Sequence, residues 1–151
     1  MSSFSEATRD VLGQLFERPV RVSPPWLLTA PVPGCEVCVV VGLNGEADGR
    51  VLFEMSQATA LSLAGVMSLG AVFTELNASV RSCVSELGNI VAGRAVSLFN
   101  GQGGHLGIGA PMLLRGLGMR ASHDEPVTRI VAETVAGEFL VNLSLRRPPD
   151  E

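Results

Sequence analysis

Ser82, Glu86 and Asn89 fall on one line if the segment that carries them is helical. Steps of four and three residues stack side chains on one helix face. A carboxylate pairs with a cation or accepts hydrogen bonds. A primary amide offers both a donor and an acceptor, so it can hold a water molecule in a fixed orientation. A Glu and an Asn one turn apart can therefore engage a partner and align a nucleophile. A solvated helix face would carry the same residue types at the same spacing, and spacing alone favours that reading.

The helix that must present this line is expected from about Val72 to Leu98. Val80, Val84, Leu87 and Val91 fall within roughly 60° on a helical wheel, and Ser82, Glu86, Asn89 and Gly93 cluster on the other side. A first helix is expected over residues 3–16, with Ser3 as N-cap and Glu6 completing a capping box. Its apolar stripe is Phe4, Ala7, Val11, Leu12 and Leu15, and Pro19 ends it. The Pro-rich stretch 19–34 reads as an extended connection with an edge strand near Trp26-Leu27-Leu28. Residues 36–43 form a continuous apolar strand, expected to be buried on both faces. A turn over 44–49 leads to its hairpin partner, 50–55. Ser56 caps a second helix running to about Ser68, with Ala60, Leu61, Ala64, Met67 and Leu69 facing inward. Residues 100–111 read as a flexible Gly-rich loop, and 112–115 as a short strand. Strands 127–134 and 138–146 form a hairpin across Ala136-Gly137, and the tail 147–151 is expected to fray. The fold class is α/β, of the α+β kind: helices packed on a largely antiparallel sheet, in a single domain spanning 1–151.

Composition excludes several function classes. Hydrophobic residues make up 46% and charged ones 17%, which suits a packed globule rather than a disordered chain. Net charge is −4, and all 11 basic residues are scattered arginines, so no footprint for nucleic acid or anionic lipid is present. The charge-free run between Glu54 and Glu75 is broken by Ser56, Gln57, Thr59, Ser62, Gly65, Ser68 and Gly70, so it reads as a buried helix rather than a membrane span. The N-terminus lacks a signal-peptide pattern, and the expected location is cytoplasmic. Cys35 and Cys38 form a lone C-x-x-C without a second ligand pair, and a strand would point them to opposite faces; they read as packing residues. The Gly-rich loop follows a helix and leads to strands, the wrong context for a phosphate cradle.

The extended string Ser82-x3-Glu86-x2-Asn89-Ile90-x2-Gly93-x-Ala95, followed by Pro111, resembles the CheC/CheX/FliY family of chemotaxis phosphatases, and the CheX branch in particular. The likeness extends to Val39–Leu43 with Gly45, to Thr59-Ala60-Leu61 and to Gly137-Glu138-Phe139. Members of the CheC type carry two such motifs. Here the opening helix offers Ser2-x3-Glu6-x2-Arg9, with Arg where Asn is required, so one working site is expected. The resemblance implies hydrolysis of the phosphoaspartate of a CheY-like response regulator. Glu86 would pair with a receiver lysine and Asn89 would orient the attacking water. Ser82, Gly93 and Pro111 would support the site or contact the partner. The chain would need no cofactor of its own, the Mg²⁺ belonging to the receiver, and would be a homodimer. A non-catalytic receiver-binding adaptor and a dimeric sensory or structural module are the alternatives.

Overall fold

The structure, a computed structural model, describes residues 1–30, 32–116 and 126–146. The expected fraying of the tail concerns residues outside this set. In chain order the elements are α1 (Ser2–Phe16), β1 (Arg21–Val22), β2 (Trp26–Leu28), β3 (Val37–Gly45), β4 (Asp48–Met55), α2 (Gln57–Met67), α3 (Ala78–Gly101), β5 (Leu106–Ile108), β6 (Met112–Arg115), β7 (Val127–Thr134) and β8 (Gly137–Arg146). The strands form one antiparallel sheet with the path β1-β7-β8-β4-β3-β5; β2 also pairs with β7, and β6 with β3. The α+β expectation holds: three helices pack on this eight-stranded sheet.

Strand alternation sorts the sheet into two faces. Val37, Val39 and Val41 of β3, Val51, Phe53 and Met55 of β4, Ile130 of β7, and Phe139 and Val141 of β8 are wholly buried in the core. The rings of Phe53 and Phe139 stack there with centroids 5.6 Å apart. Phe4, Ala7 and Leu12 of α1, Ala60, Leu63 and Ala64 of α2, and Val80, Val84, Leu87 and Val91 of α3 complete the core. The apolar stripe predicted for α3 is thus its buried face.

The opposite sheet face is only partly apolar. On β3 it carries buried Cys38, half-buried Val40 and exposed Gly42, so the strand is not buried on both faces throughout. Beside Cys38 lies a closed polar cluster. Arg129 Nη2 meets Glu54 Oε2 at 3.2 Å, Arg129 Nε donates to Asn142 Oδ1 at 2.7 Å, and Asn142 Nδ2 donates to Glu54 Oε2 at 2.6 Å. Each buried polar group there has a partner, the condition for tolerating charge at low solvent exposure.

Five local expectations are corrected. Ser3 is buried inside α1, which starts at Ser2 without a side-chain cap. α2 ends at Met67; Leu69 lies beyond it in a left-handed conformation (φ 56°) and is 100% exposed, because Gly70 N–H bonds back to Gly65 O and turns the chain outward. α3 begins at Ala78, not Val72, because Asn77 caps it. The 100–111 segment is not simply a loop: Leu106–Ile108 pair with the edge of β3 as β5. The turn after β3 also tightens to Glu46 and Ala47, between Gly45 and Asp48.

Cys35 precedes β3, so strand alternation does not place it opposite Cys38. Both thiols are pushed up, first by burial and then by the nearby Glu54 carboxylate, Cys38 to about 12. Each is therefore a protonated, weakly nucleophilic thiol at neutral pH.

Candidate active site

α3 is fixed at both ends. At its start Asn77 Oδ1 accepts from Val80 N–H at 2.9 Å, a side-chain N-cap. At its end Asn100 brackets the backbone of Leu106: Nδ2 donates to the carbonyl and Oδ1 accepts from the amide, both at 2.8 Å. That pair ties the helix to β5 across the Gly-rich turn.

The height of α3 over the sheet is set by Gly88. A Cβ there would lie 2.8 Å from Val39 Cγ1 and 3.1 Å from Phe53 Cδ2, so only glycine permits this approach. Gly88 belongs to the buried side of the helix, between Glu86 and Asn89 in sequence.

The outward side carries the predicted residues in the predicted order. Ser82 and Glu86 are exposed; Asn89 and Gly93 are half-buried. No hydrogen bond or ion pair to a described residue engages the side chains of Glu86 or Asn89. The carboxylate and amide are therefore available to a partner. Gly93 contrasts with Gly88. A Cβ on Gly93 would meet only Ile108 Cδ1, at an ordinary 3.8 Å, so nothing within the fold demands glycine there.

Two walls flank this face. On one side is β5, with Ile108 beside Gly93. Half-buried Pro111 follows, in the connection to β6, after Gly109 N–H has donated to Gly42 O at 3.0 Å. On the other side is α1, joined to α3 through Arg94 Nη2 and Asp10 Oδ2 at 3.4 Å. The structure thus unites Ser82, Glu86, Asn89 and Gly93 on one surface. Pro111 belongs to the bordering connection rather than to the helix.

Ile90, which stands in the string that carries the resemblance, and Arg94 are not among the expected site residues, yet both border this face. Ile90 lies four residues after Glu86, on the polar side of the wheel, and is 42% exposed. An isoleucine among the polar positions was the available signal. Arg94 gave no comparable signal, because its partner Asp10 lies 84 residues earlier in the chain. On α1, Glu6 and Arg9 are both exposed, so the degenerate motif faces solvent as well.

An exposed carboxylate and a free amide on a rigid helix can bind and orient. Among the described residues no group of three or more His, Cys, Asp or Glu side chains comes together.

A family model for the chemotaxis phosphatase CheX matches residues 37–134, from the start of β3 to the end of β7, including all of α3. The chain belongs to the CheX family. The CheY-P phosphatase CheX of Thermotoga maritima is 28% identical over 147 residues, covering 97% of this chain and 92% of that protein. A chemotaxis protein CheX from Desulfovibrio desulfuricans has the same fold, with a TM-score of 0.85 and 24% identity over 96% of this chain and 97% of that one. The CheX of Borrelia burgdorferi, solved as a CheX–CheY–BeF3–Mg²⁺ complex, superposes with a TM-score of 0.79 and 23% identity over 97% of both chains. These CheX structures share the arrangement of three helices on an antiparallel sheet described above.

Proposed function

We propose that this chain is a CheX-type phosphatase that hydrolyses the phosphoaspartate of a CheY-like response regulator, with residues 1–151 acting as one domain and Glu86 and Asn89 as its catalytic pair. The observation that carries this reading is the unengaged Glu86/Asn89 pair on the outward face of a helix pinned at both ends. The CheY-P phosphatase named among its relatives and the CheX–CheY complex support the substrate.

In this mechanism α3 docks over the receiver's phosphorylation site. Glu86 pairs with a receiver lysine and fixes the orientation of the complex. Asn89 reaches the phosphoryl group, accepting from water through Oδ1 and donating to a phosphoryl oxygen through Nδ2. Water attacks phosphorus in line, the phosphorus–oxygen bond to the aspartyl carboxylate breaks, and inorganic phosphate leaves with the proton. Phosphoryl transfer asks mainly for positioning and charge stabilisation, so an aligned amide suffices on this side of the interface. The receiver supplies Mg²⁺. Ser82 borders the contact one turn before Glu86, Gly93 keeps the surface low beside Asn89, and Pro111 shapes the connection alongside.

Asn89→Ala should abolish the acceleration of phosphate loss from a phosphorylated receiver with Mg²⁺ while leaving the circular dichroism spectrum unchanged. Equal rates for wild type and variant would sink the mechanism. Binding of the receiver without acceleration by the wild type would favour the adaptor reading.

We further propose that the protein is a cytoplasmic homodimer. Among the described residues β6 pairs only with β3, and its Met112 and Leu114 are 57% and 37% exposed. An edge strand with exposed apolar residues invites pairing with a second chain. Sedimentation at the mass of one chain would remove this reading.

A further inference from the structure

Beside the catalytic face, α1 and α3 enclose an open groove of about 620 Å³, lined among others by Arg9, Asp10, Arg18, Ile90 and Arg94. Its charge is at odds with the chain as a whole. The chain carries a net −4, yet this groove gathers three arginines against one aspartate. That aspartate is already matched to Arg94 at 3.4 Å. Arg9 and Arg18 are exposed and make no ion pair with any described residue. Ile90 and Arg94 stand on the same helix as Asn89, one and five residues beyond it. Ile90 also lies one turn after Glu86, so the groove borders the Glu86 side of the proposed catalytic face.

Exposed arginines without internal partners contribute little to stability. At the rim of an interface they act on encounter rate and orientation, and their effect is screened by salt. A groove of this sign, bordering that face, fits a partner that brings acidic side chains there together with the phosphoryl group.

We propose that the α1–α3 groove is a second contact for the response regulator: Arg9 and Arg18 take acidic side chains on the receiver surface bordering its phosphorylation site, while Ile90 packs against that surface. This rests on the receiver being the substrate. The groove steers and registers the complex, and Asn89 performs its role once the complex is seated. Arg9, which breaks the Glu-x-x-Asn spacing on α1, thereby gains a binding role where a second catalytic site is missing.

The test measures both affinity and turnover with a beryllofluoride-activated and a phosphorylated receiver. Arg9→Glu/Arg18→Glu should raise KM and Kd by at least about tenfold, leave kcat at saturation unchanged, and flatten the loss of kcat/KM with added salt. The milder Arg9→Gln/Arg18→Gln pair should move the same quantities less, in the same direction, which separates the effect from a folding defect in the charge-reversed protein. Unchanged affinity and salt dependence in both variants would overturn the proposal. So would a change in sedimentation mass without a change in receiver affinity, which would assign the groove to a second copy of this chain. Arginine-dependent binding without any phosphate release by the wild type would uphold the groove and refute the catalytic reading. A receiver panel in which nothing binds would refute both.

Discussion

Gly88 and Gly93, two glycines of one helix, meet opposite surroundings: a Cβ on Gly88 would crowd Val39 and Phe53, whereas one on Gly93 would meet only Ile108 at an ordinary distance. Gly93 costs the helix about 0.5–1 kcal/mol relative to alanine, and no contact inside the fold requires it. On the proposed mechanism, its position beside Asn89 on the outward face matters for docking: a methyl group there would hold an approaching receiver away from the amide. Gly93→Ala should therefore stabilise the protein by about 0.5–1 kcal/mol in urea unfolding while lowering kcat/KM toward the phosphorylated receiver. Stability and activity moving in opposite directions is the diagnostic result. A variant both more stable and fully active would remove Gly93 from the partner surface.

At the scale of the element, α3 works because its two faces are set independently. The buried face is positioned by Val80, Val84, Leu87 and Val91 and by the close approach at Gly88. The outward face is then left free to carry polar groups without internal partners. Gly88→Ala forces Val39 or Phe53 to shift, and overpacking of this kind costs about 1–3 kcal/mol. Unfolding free energies should thus change in opposite directions for the two alanine variants, although both substitutions raise helix propensity equally. A gain in stability for Gly88→Ala would mean that α3 stands further from the sheet.

At the scale of the whole molecule, the cysteines give stability an alkaline limit. The chain has no lysine and no tyrosine, so cysteine is the side-chain type that titrates between about pH 9 and pH 12. Burial holds the Cys38 proton up to about 12, against an ordinary value of 9.0. Above the ordinary value the unfolded chain releases that proton while the folded chain keeps it. The folded state then binds more protons, so stability falls as pH rises through the window and is fully retained below it. The urea midpoint should drop between about pH 9 and pH 12, and Cys38→Ala should show a shallower drop over the same range. Identical slopes would place the linkage elsewhere.

Local spacing carries the periodic elements and the order of residues on the outward face of α3. Val80, Val84, Leu87 and Val91 declare the buried side of α3 through helical spacing, and that places Ser82, Glu86 and Asn89 on the other side. Strand alternation in 139–143 declares the core of β8 in the same way. These signals are local, so they survive without a third dimension. Element ends were less legible, because they depend on which backbone groups find partners: Asn77 starts α3, and the Gly70 bond to Gly65 throws Leu69 into solvent. β5 was hidden because its existence depends on the free edge of β3 and on Asn100, both supplied by distant parts of the chain. Only the tertiary structure could decide the arginine groove. Arg9, Arg18 and Arg94 are unremarkable in sequence and meet only when α1 packs along α3. Covalent spacing fixes which side chains share a face, but which faces share a border is decided by packing.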